Sequence, residues 1–346
     1  MTRETGIVEA PGRVNLIGEH IDYHGLSVLP IALQQRVRLH YRRREDRRIR
    51  AVSECYGERE FEWTDDLVPV AAGDWENYLR AAARVARTFL PPGARGIDAE
   101  ISSDLPAAAG LSSSSALIVA ATLGLLRANG YNPAFGELME VLPDGEQFVG
   151  TRGGGMDHAA SLGSRAGCAS LIGFAPVTIR HVPVPEDWTF LVVNSLIRAE
   201  KSGRARDEYN ARRNATMTAR EKLDCGEPLT PLEEEAYKHV TTEADRVQLA
   251  VTAMERGEAE LFGDLMRMSH ESLRHRLRVS LPALDQLVGT AMDAGALGAR
   301  LTGAGFGGCI VVLARRAESD KVKAGIARRF RGPVFEAQPG AGALES

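Results

Sequence analysis

Cysteine is scarce and dispersed in this chain. Cys55, Cys168, Cys225 and Cys309 are the four in 346 residues. They form no Cys-x-x-Cys pair, and no histidine pair stands at metal-ligand spacing, which argues against both a disulfide framework and a zinc site. Long hydrophobic runs are missing too. No stretch reaches 18 uninterrupted apolar residues, and the opening Met-Thr-Arg-Glu-Thr-Gly lacks an apolar signal core, so neither a membrane span nor a secretory leader is expected and the protein is placed in the cytoplasm. Charge of one sign is lacking: 42 basic and 46 acidic residues leave a net charge of −4. Such a balance provides no long-range field to gather nucleic acid or an anionic membrane. Aromatic residues make up 6 %. The basic run from Tyr41 to Arg50 therefore has few stacking partners, and it reads as a solvated hairpin tip rather than a nucleic-acid patch. The Gly-x-x-x-x-Gly-Lys-Ser/Thr phosphate loop is also absent.

What is present is an ordinary globular composition, 44 % hydrophobic, over a length that predicts two domains. The densest signal is Leu105 to Leu117, a small-residue turn running into Ser112, Ser113, Ser114 and Ser115 and then an apolar helix. A tight turn feeding a helix leaves backbone N–H groups converging on one point, with the helix dipole adding partial positive charge. That is a phosphate cradle, and its hydroxyls suit a phosphate-bound Mg²⁺. A plain serine N-cap fits the same residues.

A second cluster lies upstream. Arg13, Asn15, Glu19, His20, Asp22 and His24 crowd into twelve positions punctuated by Gly12, Gly18 and Gly25. Directional polar groups on a glycine-hinged strand and loop suit hydroxyl recognition; a polar surface loop is the other reading. Trp75 starts an amphipathic helix, either as a core anchor or as a stacking face for a planar ligand. Three glycines precede Asp157, a common way to present a catalytic side chain, although a loop ending in an Asp cap fits equally. Gly303-Ala-Gly-Phe-Gly-Gly matches the dinucleotide fingerprint in form. The segment after it, from Cys309, reads as a strand where that fingerprint needs a helix, so a glycine loop against phosphate or sugar is the better reading.

Strands are expected at residues 6 to 9, 28 to 41, 97 to 101 and 189 to 195. Helices are expected from Trp75, from about Ser112 to Asn129, and over about 133 to 148, 200 to 213, 231 to 255, 257 to 275 and 282 to 294. Prolines 176, 183 and 185 mark the boundary between the two domains, drawn at 1–175 and 176–346.

Taken together, Gly12-Arg-Val-Asn-Leu-Ile-Gly-Glu-His, Gly110-Leu-Ser-Ser-Ser and Leu301-Thr-Gly-Ala-Gly-Phe-Gly-Gly-Cys resemble the galactokinase family of the galacto-, homoserine, mevalonate and phosphomevalonate (GHMP) kinases. Trp75-Glu-Asn-Tyr, Asn194-Ser195, Glu208-Tyr-Asn-Ala-Arg-Arg and His239-Val-Thr-Thr-Glu-Ala-Asp-Arg-Val agree with it. The resemblance implies an α+β GHMP kinase fold, with an N-terminal ribosomal-S5-like domain and a C-terminal ferredoxin-like domain. It implies transfer of the γ-phosphoryl of ATP, with Mg²⁺, to O1 of a galactose-type sugar. N-acetylgalactosamine, arabinose or a non-catalytic sugar sensor are the alternatives, and the expected state is a monomer or weak homo-oligomer. By position, Arg13 and Asp157 would flank the reacting hydroxyl, and Glu19, His20, Asp22, Gly155 and Tyr209 would bind sugar. Trp75 would face adenine; Ala108, Gly110, Leu111, Ser112, Ser113 and Ser114 would hold the phosphates; Ser114 and Glu146 would be the metal ligands. The common continuation His-Thr-Asp-Tyr-Asn-Gly-Gly is altered here, with Ile21, His24 and Leu26 in place. An arginine beside Asp157 favours the ionised carboxylate, so Asp157 is expected to orient the hydroxyl and accept its proton late.

Overall fold

The computed structural model describes residues 4–106, 109–150, 153–197 and 204–345. β1 (Thr5–Ile17) and β2 (Leu29–Arg43) pair antiparallel over most of their length. β1 is far longer than the four residues expected, because the polar cluster at 10–17 continues the strand instead of forming a loop. Its register slips twice, at Pro11/Arg13 and Asn15/Ile17. Pro11 cannot donate to the ladder. A Cβ on Gly12 would stand 2.6 Å from the Leu111 carbonyl oxygen, so glycine is what lets the strand lie this close to the serine-rich turn. Bulges of this kind bend a strand and re-aim its side chains.

β3 (Arg48–Ser53), β4 (Gly57–Glu62) and β5 (Ile97–Ser103) complete a sheet of order β1-β2-β5-β3-β4, in which β3 and β5 run parallel. The basic run is therefore not a hairpin tip. β5 lies between β2 and β3, and the connection crosses its end, where Arg44 bonds both Asp46 and Asp98. Four helices pack on the sheet or on one another: α1 (Glu76–Arg87), which lies between β4 and β5 in sequence, and then α2 (Ser113–Ala128), α3 (Phe135–Phe148) and α4 (Met156–Gly163) after β5. α2 is apolar on nearly every side, and accordingly it is buried against β1, β2, α1 and α4.

A hairpin, β6 (Cys168–Gly173) and β7 (Thr178–Pro183), has its turn at 174–177, across the expected boundary. β8 (Trp188–Asn194) opens the second sheet. It is followed by α5 (Arg204–Asp224), α6 (Pro231–Arg256), α7 (Ala259–Ser272), α8 (Pro282–Asp293), β9 (Gly298–Thr302), β10 (Cys309–Arg315), α9 (Ser319–Arg329) and β11 (Val334–Ala337). The sheet order β11-β8-β10-β9, antiparallel throughout, is ferredoxin-like. Alternation along β8 explains its uninterrupted apolar run. Phe190 and Val192 join the core that holds Phe262 of α7, while Leu191 and Val193 join the one that holds Leu284 of α8. α6 starts on a Thr230–Glu233 capping box with Pro231 in its first turn, and it stops at Gly257 in the left-handed conformation.

Candidate functional site

The three glycine-rich segments meet. Arg13, turned by the first bulge of β1, donates to Asp157 Oδ1 through Nε (2.8 Å) and Nη2 (2.7 Å), and through Nη1 to the Gly110 carbonyl (2.8 Å). Its backbone N–H bonds the Leu111 carbonyl at 3.1 Å. Burial weakens the Arg13 charge, but the Asp157, Glu19 and Glu146 carboxylates outweigh it, and its pKa ends above the ordinary value.

Ser112 occupies the N-cap position of α2 at φ 59°, and among the described residues its hydroxyl does not cap the helix. It donates to Asp157 Oδ2 at 2.5 Å. The first turn of α2 stands in the wall of the cavity, which includes Ser113 and Ser114. Ser115 is buried; its hydroxyl donates to Glu146 Oε1 at 2.6 Å and approaches Asp157 Oδ2 at 3.4 Å. Glu146 arrives on α3, where the unusual neighbour Gly145 lies against Ile118 of α2 and Val85 of α1. Ala108 lies outside the described residues.

The end of the sugar-like signature is more deeply bonded than its sequence suggests. Glu19 Oε1 accepts from the Gly303 amide (2.6 Å) and from Thr302 Oγ1 (3.2 Å). Burial raises the Glu19 pKa even with Arg300 3.8 Å away. His20, at φ 62°, shares hydrogen bonds with Tyr23 Oη and the Ala304 carbonyl, and its ring lies 5.2 Å from that of Tyr209. Burial holds it neutral, with its pKa lowered to about 3. Asp22 Oδ2 accepts from the Gly154 amide at 3.0 Å; burial first, then Asp157 and Glu19, push its pKa up to about 6. A Cβ on Gly154 would lie 2.4 Å from the Asp22 carbonyl carbon, which explains the middle glycine of the triplet. Gly155, at φ 101°, begins α4 and so sets the direction of Asp157.

A cavity of about 930 Å³ runs from this centre, with Glu19, His20, Asp22 and Tyr209 in its lining, to a less polar stretch formed by Trp75, Tyr78, Ile101 and Leu117. Trp75 is 7 % exposed and donates from Nε1 to the Tyr56 carbonyl at 3.1 Å. It is therefore both an anchor and a wall. Asn77 ties down the segment beside it, donating to the Ala71 carbonyl and accepting from the Val70 amide.

Several residues that shape the site carried no functional signal in the sequence. Arg300 donates to the Asn15 carbonyl, Glu243 accepts from the Gly18 amide, and His239 Nε2 pairs with the Glu19 carbonyl, all of them buried. Glu243 and His239 lie in a matched motif without an assigned task, and Arg300 sits in a strand that reads as ordinary core.

Set beside known proteins, residues 2–43 match the galactokinase galactose-binding signature, 77–165 the GHMP kinase N-terminal domain and 250–332 the GHMP kinase C-terminal domain. A galactokinase of Roseiflexus sp. (strain RS-1) is 36 % identical over 94 % of this chain and 87 % of its own length. The chain belongs to the galactokinase family. The galactokinase of Pasteurella multocida (strain Pm70) is 32 % identical over 93 % of the chain and 89 % of its own. The structure of Lactococcus lactis galactokinase complexed with galactose superposes with a TM-score of 0.89 at 26 % identity, covering 99 % of this chain and 95 % of that one. The structure of L. major mevalonate kinase, at 20 % identity and a TM-score of 0.70 over 99 % of this chain and 100 % of that one, shares the fold. The galactokinase family makes this chain an ATP-dependent sugar kinase. No helix among the described residues is long and apolar enough to cross a membrane.

Proposed function

We propose that the chain transfers the γ-phosphoryl of ATP to the anomeric O1 of galactose, with ATP and sugar meeting at the Arg13–Asp157 pair. The observation that carries this reading is the junction itself: Arg13 bonds Asp157 and the Gly110 carbonyl at once, so signature, phosphate loop and glycine triplet converge on one point. Ser112, Ser113 and Ser114, with Gly110 and Leu111, face the phosphates. Trp75 lies against the adenine. Glu19, His20, Asp22, Gly155 and Tyr209 line the sugar's place.

Phosphoryl transfer asks chiefly for positioning and neutralised charge. In the step, O1 forms a bond to the γ-phosphorus as the bond from that phosphorus to the β,γ-bridging oxygen breaks, and ADP leaves. Asp157, held by Arg13 on one oxygen and Ser112 on the other, orients the O1 hydroxyl and takes its proton late. Arg13 stabilises charge on the group in transit. Ser114 and Glu146 present hydroxyl and carboxylate oxygens at the cavity, the donor type Mg²⁺ takes. No group of three or more His, Cys, Asp or Glu side chains suited to a metal occurs among the described residues, so an ion there would complete its shell from phosphate and water. When bound, it supplies charge neutralisation across the phosphates.

The test is ADP release from ATP and Mg²⁺ with galactose, N-acetylgalactosamine and arabinose in parallel. Galactose is expected to give the highest kcat/KM. A higher value for another sugar reassigns the substrate, and galactose binding without ADP release from any of the three identifies a sensor.

A further inference from the structure

One face of α5 grips the turn that carries Asp22. Tyr209, Arg213, Thr216 and Arg220 recur at steps of four, three and four, the spacing of a single helical face. Each meets the turn: the Tyr209 ring lies 5.2 Å from His20, and the Arg213 guanidinium lies 5.4 Å from the centre of the Tyr23 ring. Thr216 Oγ1 stands 2.9 Å from His24 Nε2, and Arg220 donates to the His24 carbonyl at 3.2 Å. The turn is itself closed by His24 N–H to the Ile21 carbonyl and Gly25 N–H to the Asp22 carbonyl. On its other side Asp22 receives the Gly154 amide.

The direction of the central bond can be deduced. Thr216 has one hydroxyl hydrogen, donated to the Arg213 carbonyl at 2.7 Å, so toward His24 its oxygen accepts. His24 then carries its proton on Nε2, and its buried Nδ1 has no hydrogen-bond partner among the described residues. Burial, with Arg220 and Arg213 nearby, keeps the ring neutral, its pKa lowered to about 4. The ring stands where the family pattern commonly has Asn; it packs beside Tyr23 and Tyr237, and its one hydrogen bond among the described residues reaches into the C-terminal half of the chain.

We infer that His24 and Thr216 are positioning residues for sugar recognition: their hydrogen bond docks the Asp22 turn onto α5 and thereby sets where Asp22 and His20 stand in the cavity. The inference rests on the proposed sugar kinase activity. Neither residue is in the lining of the cavity, so the effect passes through the turn and leaves the nucleotide end alone.

The test is steady-state kinetics of the full chain and of Thr216→Val, Thr216→Ser, His24→Phe and the Thr216→Val/His24→Phe double variant, with KM for galactose and for ATP measured separately. Thr216→Val, which removes the buried hydroxyl between His24 and the Arg213 carbonyl, is expected to raise the galactose KM about tenfold, with the ATP KM changed by less than about twofold. Thr216→Ser, which keeps the acceptor, is expected to stay within about twofold of the parent. The double variant should be no worse than the poorer single one, because both lose the same contact. An unchanged galactose KM in Thr216→Val and His24→Phe, equal rises in both KM values, or multiplicative effects in the double variant would overturn the inference while leaving the kinase reading intact. A parent chain that turns over no sugar would overturn both.

Discussion

The two ends of the cavity are built on opposite plans. At the reacting end, charge is fixed by side chains brought from far apart in sequence: Arg13 to Asp157, Ser112 to Asp157, Ser115 to Glu146. At the other end, Trp75, Tyr78, Ile101 and Leu117 offer apolar surface, and the one polar tie of the Trp75 side chain among the described residues is to backbone, its indole bonded to the Tyr56 carbonyl. The difference fits the division of labour proposed for the two ends. Charge developing during phosphoryl transfer is stabilised by dipoles already in place. A flat base needs area, with little demand for direction.

Changing one residue at each end should therefore fail in different ways. The largest effect is expected from Asp157→Asn, which keeps the shape and removes the charge paired with Arg13. We expect kcat to fall about a thousandfold with the galactose KM moved by less than about fivefold, as initial rates at varied galactose would show. Equal turnover in this variant would remove Asp157 from the reaction. A smaller effect is expected from Trp75→Phe, which keeps a ring but loses the donor to Tyr56. Here the ATP KM should rise about threefold with kcat nearly constant. If instead kcat collapsed while the ATP KM held, the nucleotide end would be doing more than providing area, and the contrast between the ends would be lost.

The same contrast shows what could be read before the structure. Glycine spacing and polar density mark close backbone approach around Arg13 and Gly110, but they leave Asp157 open between a catalytic side chain and an Asp cap; the family resemblance is what puts the three together, and the three positions do converge. Gly154 is the clearest case: any side chain there would run into the Asp22 backbone. The serine run was ambiguous in sequence between a helix cap and a phosphate cradle. The direction of the Ser112 hydroxyl, toward Asp157 and away from the helix, comes from α4, 45 residues on. β1 was underestimated because its polar residues broke the alternation that signals a strand, and its bulges absorb them. The basic run was misplaced because strand order in a sheet is a long-range property: nothing local to Tyr41–Arg50 says that β5 will insert between β2 and β3. Arg300, Glu243 and His239 were not given roles for a related reason. Each bonds the backbone or side chain of residues 15–19 from over two hundred positions away, and charged residues on a helix or strand more often face water.

The most direct measurement is the phosphorus spectrum of the product formed from ATP and galactose, with coupling to protons resolved. One new phosphomonoester signal coupled to the anomeric proton is expected, placing the phosphate on O1. Coupling to the C6 protons, or no new signal, would contradict it.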